Sequence, residues 1–238
     1  MFCIPYAGGS GYLFKKWEKN LNKNIKLYPV ELSGRGARFT EKLSKNLMEI
    51  VEDAYQQIVS KIDDEEYAIL GYSMGTIITF EVVRKLQENS HKLPKHVFFC
   101  AQNAPHNLKQ RDTYLLSDEE FYNKILQLGG TPEEIINNTE IRNIYGKILR
   151  SDYEALETYT FERIDRKVKS TCSIIYGQND FEIENIEAWN DVIENKVEYY
   201  KLNGNHFFIN NLPQEVFNII NNSLISNFAD YGVSTHDN

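Results

Sequence analysis

Near residue 70 the chain reads Tyr67-Ala68-Ile69-Leu70-Gly71-Tyr72-Ser73-Met74-Gly75. Its first four residues form an apolar run of strand length, and residues 76–87 then place apolar side chains at helical intervals. A Gly-x-Ser-x-Gly pentapeptide therefore stands where a strand gives way to a helix. We predict that Ser73 lies on a strained turn that exposes its hydroxyl, because the two flanking glycines let strand and helix approach closely. An exposed serine on such a turn indicates covalent acyl-transfer chemistry.

Composition bounds the class of protein. The chain has 238 residues, of which 42% are hydrophobic, and this length suits one α/β domain over residues 1–238. A net charge of -8, without clustered Lys and Arg, argues against a nucleic-acid partner. No apolar run has the length that crosses a membrane. Three cysteines without a Cys-x-x-Cys pair are expected to be buried thiols, so we predict a cytoplasmic protein.

Strand-like and helix-like segments alternate along most of the chain. The strand-like runs are residues 2–4, 26–30, 67–70, 96–100, 172–176 and 197–202, and the main helix-like intervals are 43–62, 76–87, 184–192 and 213–228. Such alternation predicts an α/β fold with a mostly parallel sheet flanked by helices.

The pattern changes between residues 108 and 166 to successive amphipathic helices without a strand. We expect this insertion to form a helical lid over one edge of the sheet. Ser117-Asp118-Glu119-Glu120 resembles a capping box that begins one lid helix, and Thr131-Pro132-Glu133-Glu134 begins another. The polar segment 229–238 is expected to be a flexible tail.

A serine nucleophile needs a general base, which comes last along the chain in α/β-hydrolase folds. Of the five histidines, His206 alone follows a strand-like run through a turn, Asn203-Gly204-Asn205. Parallel sheets collect their active residues at this edge. His106 also follows a strand, but it precedes the lid, so we interpret it as structural. His206 is the predicted base.

The carboxylate that orients this histidine is expected after the strand-like run 172–176. Asp180 follows that run through Gly177-Gln178-Asn179, and it is our candidate. Glu182 and Glu184 are rivals, although both are displaced toward the following helix. The segment after the preceding strand, 101–103, contains no carboxylate, which strengthens the assignment to Asp180.

An acyl intermediate also needs two backbone N–H donors for its oxyanion. One is expected from Met74, the residue after the nucleophile. The other is expected from the loop Pro5-Tyr6-Ala7-Gly8-Gly9-Ser10-Gly11, where Ala7 is our candidate. A glycine-rich loop after a strand can instead cradle a phosphate, but this one has neither a Walker lysine nor a full dinucleotide fingerprint.

Further stretches match one known family. They are Phe2-Cys3-Ile4-Pro5-Tyr6-Ala7-Gly8-Gly9-Ser10, Pro29-Val30-Glu31-Leu32 with Gly34-Arg35, Gly71-Tyr72-Ser73-Met74-Gly75, Ala104-Pro105-His106, Leu128-Gly129-Gly130-Thr131-Pro132, Glu157-Thr158-Tyr159 and Gly204-Asn205-His206-Phe207-Phe208. Over nearly its whole length the chain resembles the type II (external, editing) thioesterases of nonribosomal peptide and polyketide synthesis. The resemblance implies an α/β-hydrolase fold with a helical lid, a triad of Ser73, Asp180 and His206, and oxyanion donors at Ala7 and Met74.

The resemblance also implies a reaction. Such enzymes hydrolyse wrongly loaded or stalled acyl thioesters on the phosphopantetheine arm of carrier domains. That arm belongs to the carrier substrate, so no cofactor and no metal of the enzyme's own are expected. We expect a monomer whose partners are the carrier domains of a synthase. Tyr6, Tyr72 and Phe207 are expected to contact the substrate. Tyr72 is also a departure, since the family often has histidine there.

Two sets of lid residues are candidates for further roles. The aromatic residues Tyr153, Tyr159 and Phe161 are either walls of the acyl pocket or ordinary helix core. A chain of net negative charge needs a local basic patch to dock an acidic carrier. The candidates for that patch are Lys109, Arg111, Arg142, Lys147 and Arg150.

Two other functions stay open on the sequence. A carboxylesterase for small free esters would use the same catalytic groups. A noncatalytic carrier-binding scaffold could keep the same fold.

Overall fold

The structure is a computed structural model that describes residues 1–130, 138–162, 167–211 and 213–229. In these ranges six parallel strands form one sheet, in the order β2-β1-β3-β4-β5-β6. The strands are β1 Phe2–Ile4, β2 Tyr28–Pro29, β3 Ala68–Tyr72, β4 His96–Cys100, β5 Thr171–Gly177 and β6 Val197–Leu202. The predicted parallel sheet is thereby confirmed. Only β2 is much shorter than predicted. The N–H groups of Tyr28 and Val30 donate to the carbonyl oxygens of Met1 and Cys3, so position 29 faces away from β1, and this edge strand tolerates a proline there.

The described helices flank this sheet. They are α1 Tyr12–Lys15, α2 Leu47–Val59, α3 Met74–Glu88, α4 Asp118–Leu128, α5 Thr139–Glu157, α6 Phe208–Asn211 and α7 Pro213–Ala229. The helix predicted over 43–62 begins only at Leu47, because the Asn46 side chain caps it by accepting hydrogen bonds from the N–H groups of Met48 and Glu49. The helix predicted over 184–192 is instead a 3-10 helix, Ile186–Asp191.

Apolar side chains cover both faces of the sheet. Along β4, Val97 and Phe99 face a cluster that includes residues of α2 and α3, whereas Phe98 and Cys100 face one that includes residues of α1 and α7. Every residue of β3 and β4 is buried. A strand buried on both faces reads as a continuous apolar run, which explains why these central strands were predicted from the sequence.

The predicted lid region holds α4 and α5. Ser117 and Glu120 form the predicted capping box at the start of α4. Phe121 and Ile125 of α4 pack against Leu149 of α5 in a small cluster of their own. The helix start predicted at 131–134, the end of the lid and nearly all of the tail lie outside the described residues, so the lid bounds 108–166 stay a prediction.

A buried histidine at the start of β4 makes stability depend on pH. His96 is fully buried, with Nε2 2.8 Å from Ser173 Oγ, and burial lowers its pKa to about 4. The unfolded chain takes up this proton near pH 6.5, so between about pH 6.5 and 4 the unfolded state binds more protons. We expect His96 to lower the free energy of unfolding by about 3 kcal/mol as the pH falls through that window.

The measurement is urea unfolding at pH 7 and at about pH 4.5 for the native sequence and for His96→Gln. Carboxyl groups titrate in both proteins, so the difference between the two pH dependences isolates His96. The variant should lose less stability on acidification. Equal losses in the two proteins would contradict the assignment.

Candidate active site

The serine of the pentapeptide lies on a strained turn, as predicted. Between β3 and α3, Ser73 has φ 54° and ψ -115°, a conformation that residues with a side chain rarely adopt. A Cβ atom on Gly71 would overlap the Gly75 carbonyl oxygen, and one on Gly75 would overlap that of Ile4. Both glycines are therefore required for the close approach of strand and helix.

The structure brings the three predicted triad residues together. His206 Nε2 lies 2.9 Å from Ser73 Oγ, and His206 Nδ1 lies 2.7 Å from Asp180 Oδ2. All three residues are buried, with exposed fractions of 5–9%. In this arrangement the imidazole can accept the serine proton while the carboxylate fixes the orientation of the ring.

The turn after β5 orients the Asp180 carboxylate. Its Oδ1 accepts a hydrogen bond from the Glu182 backbone N–H at 3.0 Å, which leaves Oδ2 for His206. The side chains of the two rival carboxylates point elsewhere. Glu182 pairs with Arg111 at 2.7 Å, and Glu184 pairs with Lys109 at 2.5 Å.

Tyr72 is not a substrate contact in this structure, which corrects the sequence-based expectation. Its ring is fully buried, and it is absent from the described lining of the cavity beside Ser73. The Tyr72 hydroxyl donates to the His206 carbonyl oxygen at 2.7 Å, and burial raises its pKa, which keeps this donor protonated. Through this hydrogen bond Tyr72 supports the loop that carries His206.

A narrow cavity of about 30 Å³ lies beside Ser73 and His206. Tyr6 and Phe207, two of the predicted contacts, lie on its loop side and meet edge to face with ring centroids 5.0 Å apart. The cavity is also lined by residues of α4 and α5, which are Ile125, Leu128, Tyr145, Leu149 and Tyr153. The lining is apolar and aromatic, which suits an acyl chain.

The other two aromatic candidates of the lid region belong to the core. Tyr159 donates its hydroxyl hydrogen bond to Glu81, and the Phe161 ring lies 6.1 Å from that of Phe80. Of the three candidates, only Tyr153 lines the cavity. The alternative reading of helix core therefore applies to Tyr159 and Phe161.

The two predicted oxyanion donors lie next to the nucleophile. Ala7 lines the same cavity as Ser73, and Met74 is the first residue of α3. An N–H at the first position of a helix has no partner within that helix. Among the described hydrogen bonds, neither the Ala7 nor the Met74 N–H donates to another residue. Both donors are thus available to a bound oxygen, and their role stays a prediction.

A buried ion pair beside the site was missed by the sequence reasoning. Arg35 Nη1 and Nη2 donate to the Asp152 carboxylate at 2.5 and 2.7 Å, and Asp152 Oδ2 also accepts the Gly8 N–H at 2.7 Å. A signal was present in the sequence: Asp152 falls on the apolar face of α5, between Leu149 and Ala155. A carboxylate on such a face requires a partner.

Most of the basic candidates of the lid region are already paired. Lys109 and Arg111 bind Glu184 and Glu182, and Arg150 pairs with Asp118 at 2.8 Å. Arg142 lies over the Tyr122 ring, and Lys147 is exposed. His106, which we interpreted as structural, has its Nε2 atom 3.4 Å from Asp191 Oδ2.

The described ranges contain no group of three or more His, Cys, Asp or Glu side chains that could hold a metal ion. In the same ranges no helix has the length and apolar character needed to span a bilayer. A cavity of about 330 Å³ at the opposite end of the sheet, beside Met1 and Tyr67, does not include the triad.

Comparison with known proteins identifies the family. The thioesterase domain family matches residues 1–224. The gramicidin S biosynthesis protein GrsT of Aneurinibacillus migulanus is 32% identical over 212 residues, which are 88% of this chain and 82% of that protein. The medium-chain S-acyl fatty acid synthase thioesterase of Rattus norvegicus is 26% identical over 220 residues, with 91% and 84% covered.

One solved structure is similar to this chain over nearly its whole length. ClbQ from the colibactin NRPS/PKS pathway superimposes with a TM-score of 0.90 at 30% identity, over 96% of this chain and 97% of that one. The predicted α/β-hydrolase fold and the resemblance to thioesterases are thereby confirmed. The chain belongs to the thioesterase domain family and is a serine hydrolase that acts on thioester bonds.

Proposed function

We propose that this enzyme removes aberrant or stalled acyl groups from the phosphopantetheine arms of carrier domains in nonribosomal peptide or polyketide synthesis. The observation that carries the proposal is the hydrogen-bonded series Ser73, His206 and Asp180 beneath a narrow apolar cavity. The class of substrate is supported by the similarity to GrsT and ClbQ, two proteins of peptide and NRPS/PKS biosynthesis.

The reaction starts when His206 takes the proton of the Ser73 hydroxyl while Ser73 Oγ attacks the thioester carbonyl carbon. The N–H groups of Met74 and Ala7 stabilise the resulting oxyanion. As the C–S bond breaks, the protonated imidazole returns the proton to the pantetheine sulfur. Water, deprotonated by His206, then attacks the acyl-serine, and collapse of the second tetrahedral intermediate releases the free acid and restores Ser73.

The cavity favours a short acyl group. Its volume is only about 30 Å³, and Leu149 and Tyr153 of α5 are among the residues that line it. A longer chain would need α4 and α5 to move apart. The phosphopantetheine arm would reach Ser73 past these two helices.

The partner is proposed to be a carrier domain, met by a monomeric enzyme in the cytoplasm. Three pairs already occupy Lys109, Arg111 and Arg150. Arg142 and Lys147, both on α5, are the remaining candidates of the proposed basic patch. A cytoplasmic location is supported by Cys3, Cys100 and Cys172, which are all buried free thiols. The chemistry above uses no cofactor of the enzyme's own.

The test compares acetyl and octanoyl groups on a phosphopantetheinyl carrier protein with acetyl-coenzyme A and p-nitrophenyl acetate. Ser73→Ala enzyme serves as the blank. We expect kcat/KM to be highest for the acetyl carrier. Faster turnover of the free ester would support a general esterase instead. Faster release of octanoate would support a fatty acyl substrate, in line with the rat relative. Turnover of none of them would indicate a noncatalytic carrier-binding protein.

A further inference from the structure

The ion pair between Arg35 and Asp152 joins two distant parts of the chain beside the active site. Asp152 is fully buried and Arg35 is 4% exposed. The guanidinium donates to both carboxylate oxygens, at 2.5 and 2.7 Å, so the carboxylate plane is fixed. Burying two charges is costly, and a buried pair is weak evidence for a purely stabilising role. The pair therefore calls for an explanation in terms of what it holds in place.

The carboxylate holds the loop that carries the predicted oxyanion donor. Asp152 Oδ2 accepts the Gly8 N–H at 2.7 Å, which fixes the peptide between Ala7 and Gly8. The Gly9 N–H donates to the Tyr6 carbonyl oxygen at 2.8 Å, which fixes the peptide between Tyr6 and Ala7. In a trans peptide the N–H points away from the C=O, so this second bond directs the Ala7 N–H outward from the turn. Both peptides that flank Ala7 are thus oriented.

Helix α5 also packs directly on this loop. Gly8 has φ +77°, and a Cβ atom there would lie 2.7 Å from Leu149 Cδ2 and 2.9 Å from the Tyr145 hydroxyl oxygen. Leu149 and Tyr145 line the cavity as well. The same helix, α5, therefore lines the acyl cavity through Leu149 and Tyr145 and accepts the Gly8 N–H through Asp152. Arg35 completes the arrangement, since its Nε donates to the Ser33 carbonyl oxygen at 3.3 Å and keeps the guanidinium facing α5.

We infer that Arg35 and Asp152 are positioning residues for thioester hydrolysis: together they hold the Tyr6 to Gly9 turn so that the Ala7 N–H faces the oxyanion. They act through the loop and do not touch the substrate. The inference rests on the oxyanion role of Ala7 in the proposed function. Because Asp152 lies on α5, a displacement of this helix would also displace the Ala7 N–H.

The first test uses Asp152→Ala and Asp152→Asn with p-nitrophenyl acetate and acetyl-pantetheine. Loss of one oxyanion donor lowers kcat by about 100-fold or more, and we expect Asp152→Ala to approach that loss with little change in KM. The asparagine variant keeps an oxygen acceptor for Gly8 and should recover part of the rate. Affinity for a trifluoromethyl ketone analogue, whose adduct carries an oxyanion, should fall by the same factor as kcat/KM.

A second variant separates positioning from folding. The double variant Arg35→Met with Asp152→Leu replaces the pair by apolar groups, a change that often preserves stability. We expect it to melt like the native protein but to keep the low kcat and the weak analogue binding of Asp152→Ala. If it regains native kcat, the pair is only structural and the inference fails. A rise in KM at unchanged kcat would overturn it too.

The matched control is Glu154→Gln. Glu154 lies on the same helix and pairs with Lys45 at 2.8 Å, but that pair is at the surface, where Lys45 is 67% exposed. The kcat of Glu154→Gln should equal that of the native enzyme. Failure of the proposed function would look different, because it shows in the unaltered enzyme, which would then prefer the free ester or the octanoyl carrier. The data with p-nitrophenyl acetate would still test the pair in those two cases, whereas turnover of no substrate would overturn both proposals.

Discussion

Enzyme carrying Ser73→Ala is expected to lose thioester hydrolysis almost completely, with kcat reduced by about 10⁶-fold. Ser73 Oγ is the one atom of the enzyme that the proposed mechanism bonds to the acyl carbon, and it lies 2.9 Å from His206 Nε2. Alanine removes that atom without adding bulk at the turn. The measurement is steady-state hydrolysis of acetyl-pantetheine, together with mass spectrometry after fluorophosphonate treatment. The native enzyme should gain one adduct on Ser73, and the variant none.

A control serine keeps this result specific. Ser60 lies exposed just after α2 and donates to the Gln57 carbonyl oxygen. Ser60→Ala should retain native kcat and native labelling. Melting curves should show that Ser73→Ala is folded. Residual activity above a tenth of native in the folded variant would rule out Ser73 as the nucleophile.

The substitution Asp180→Asn is expected to lower kcat by about 10⁴-fold while KM changes little. Asparagine is nearly isosteric, but its amide can donate to His206 Nδ1 and so favours the tautomer with the proton on Nε2. That nitrogen then cannot accept the serine proton. The same kinetic assay measures the loss, with melting curves to establish folding.

The rival carboxylate provides the control for Asp180. Glu182→Gln removes the partner of Arg111, a pair that lies near the surface. The Glu182 backbone N–H that orients Asp180 is unaffected by this change. We expect kcat within a few-fold of native. A larger loss for Glu182→Gln than for Asp180→Asn would transfer the role of the acid to Glu182.

The order of the fold follows from local patterns in the sequence. The bounds of β4 and β6 agree with the predicted runs 96–100 and 197–202. Ser117 and Glu120 cap α4 as predicted, because the two side chains and the backbone groups they bind lie within one turn. Helix starts were less accurate where the deciding residue was a single cap such as Asn46.

The triad residues were also accessible from the sequence. Each follows a strand of the parallel sheet, and the carboxyl ends of such strands meet at one edge. Chain order then indicated a role for Ser73, Asp180 and His206 in turn. It was not necessary to know which side chains contact each other, because the topology of the sheet brings the three loops together.

The contacts that depend on partner choice could not be read from the sequence. Arg35 and Asp152 are 117 residues apart, and the Tyr72 hydroxyl meets the His206 carbonyl oxygen across 134 residues. Many side chains compete for such partners, and folding selects among them through the packing of whole helices and strands. Local pattern therefore specified most of the strands, the capping box of α4 and the order of the chemical groups. Long-range packing alone made Tyr72 a support for His206 and brought α5 onto the loop of Ala7.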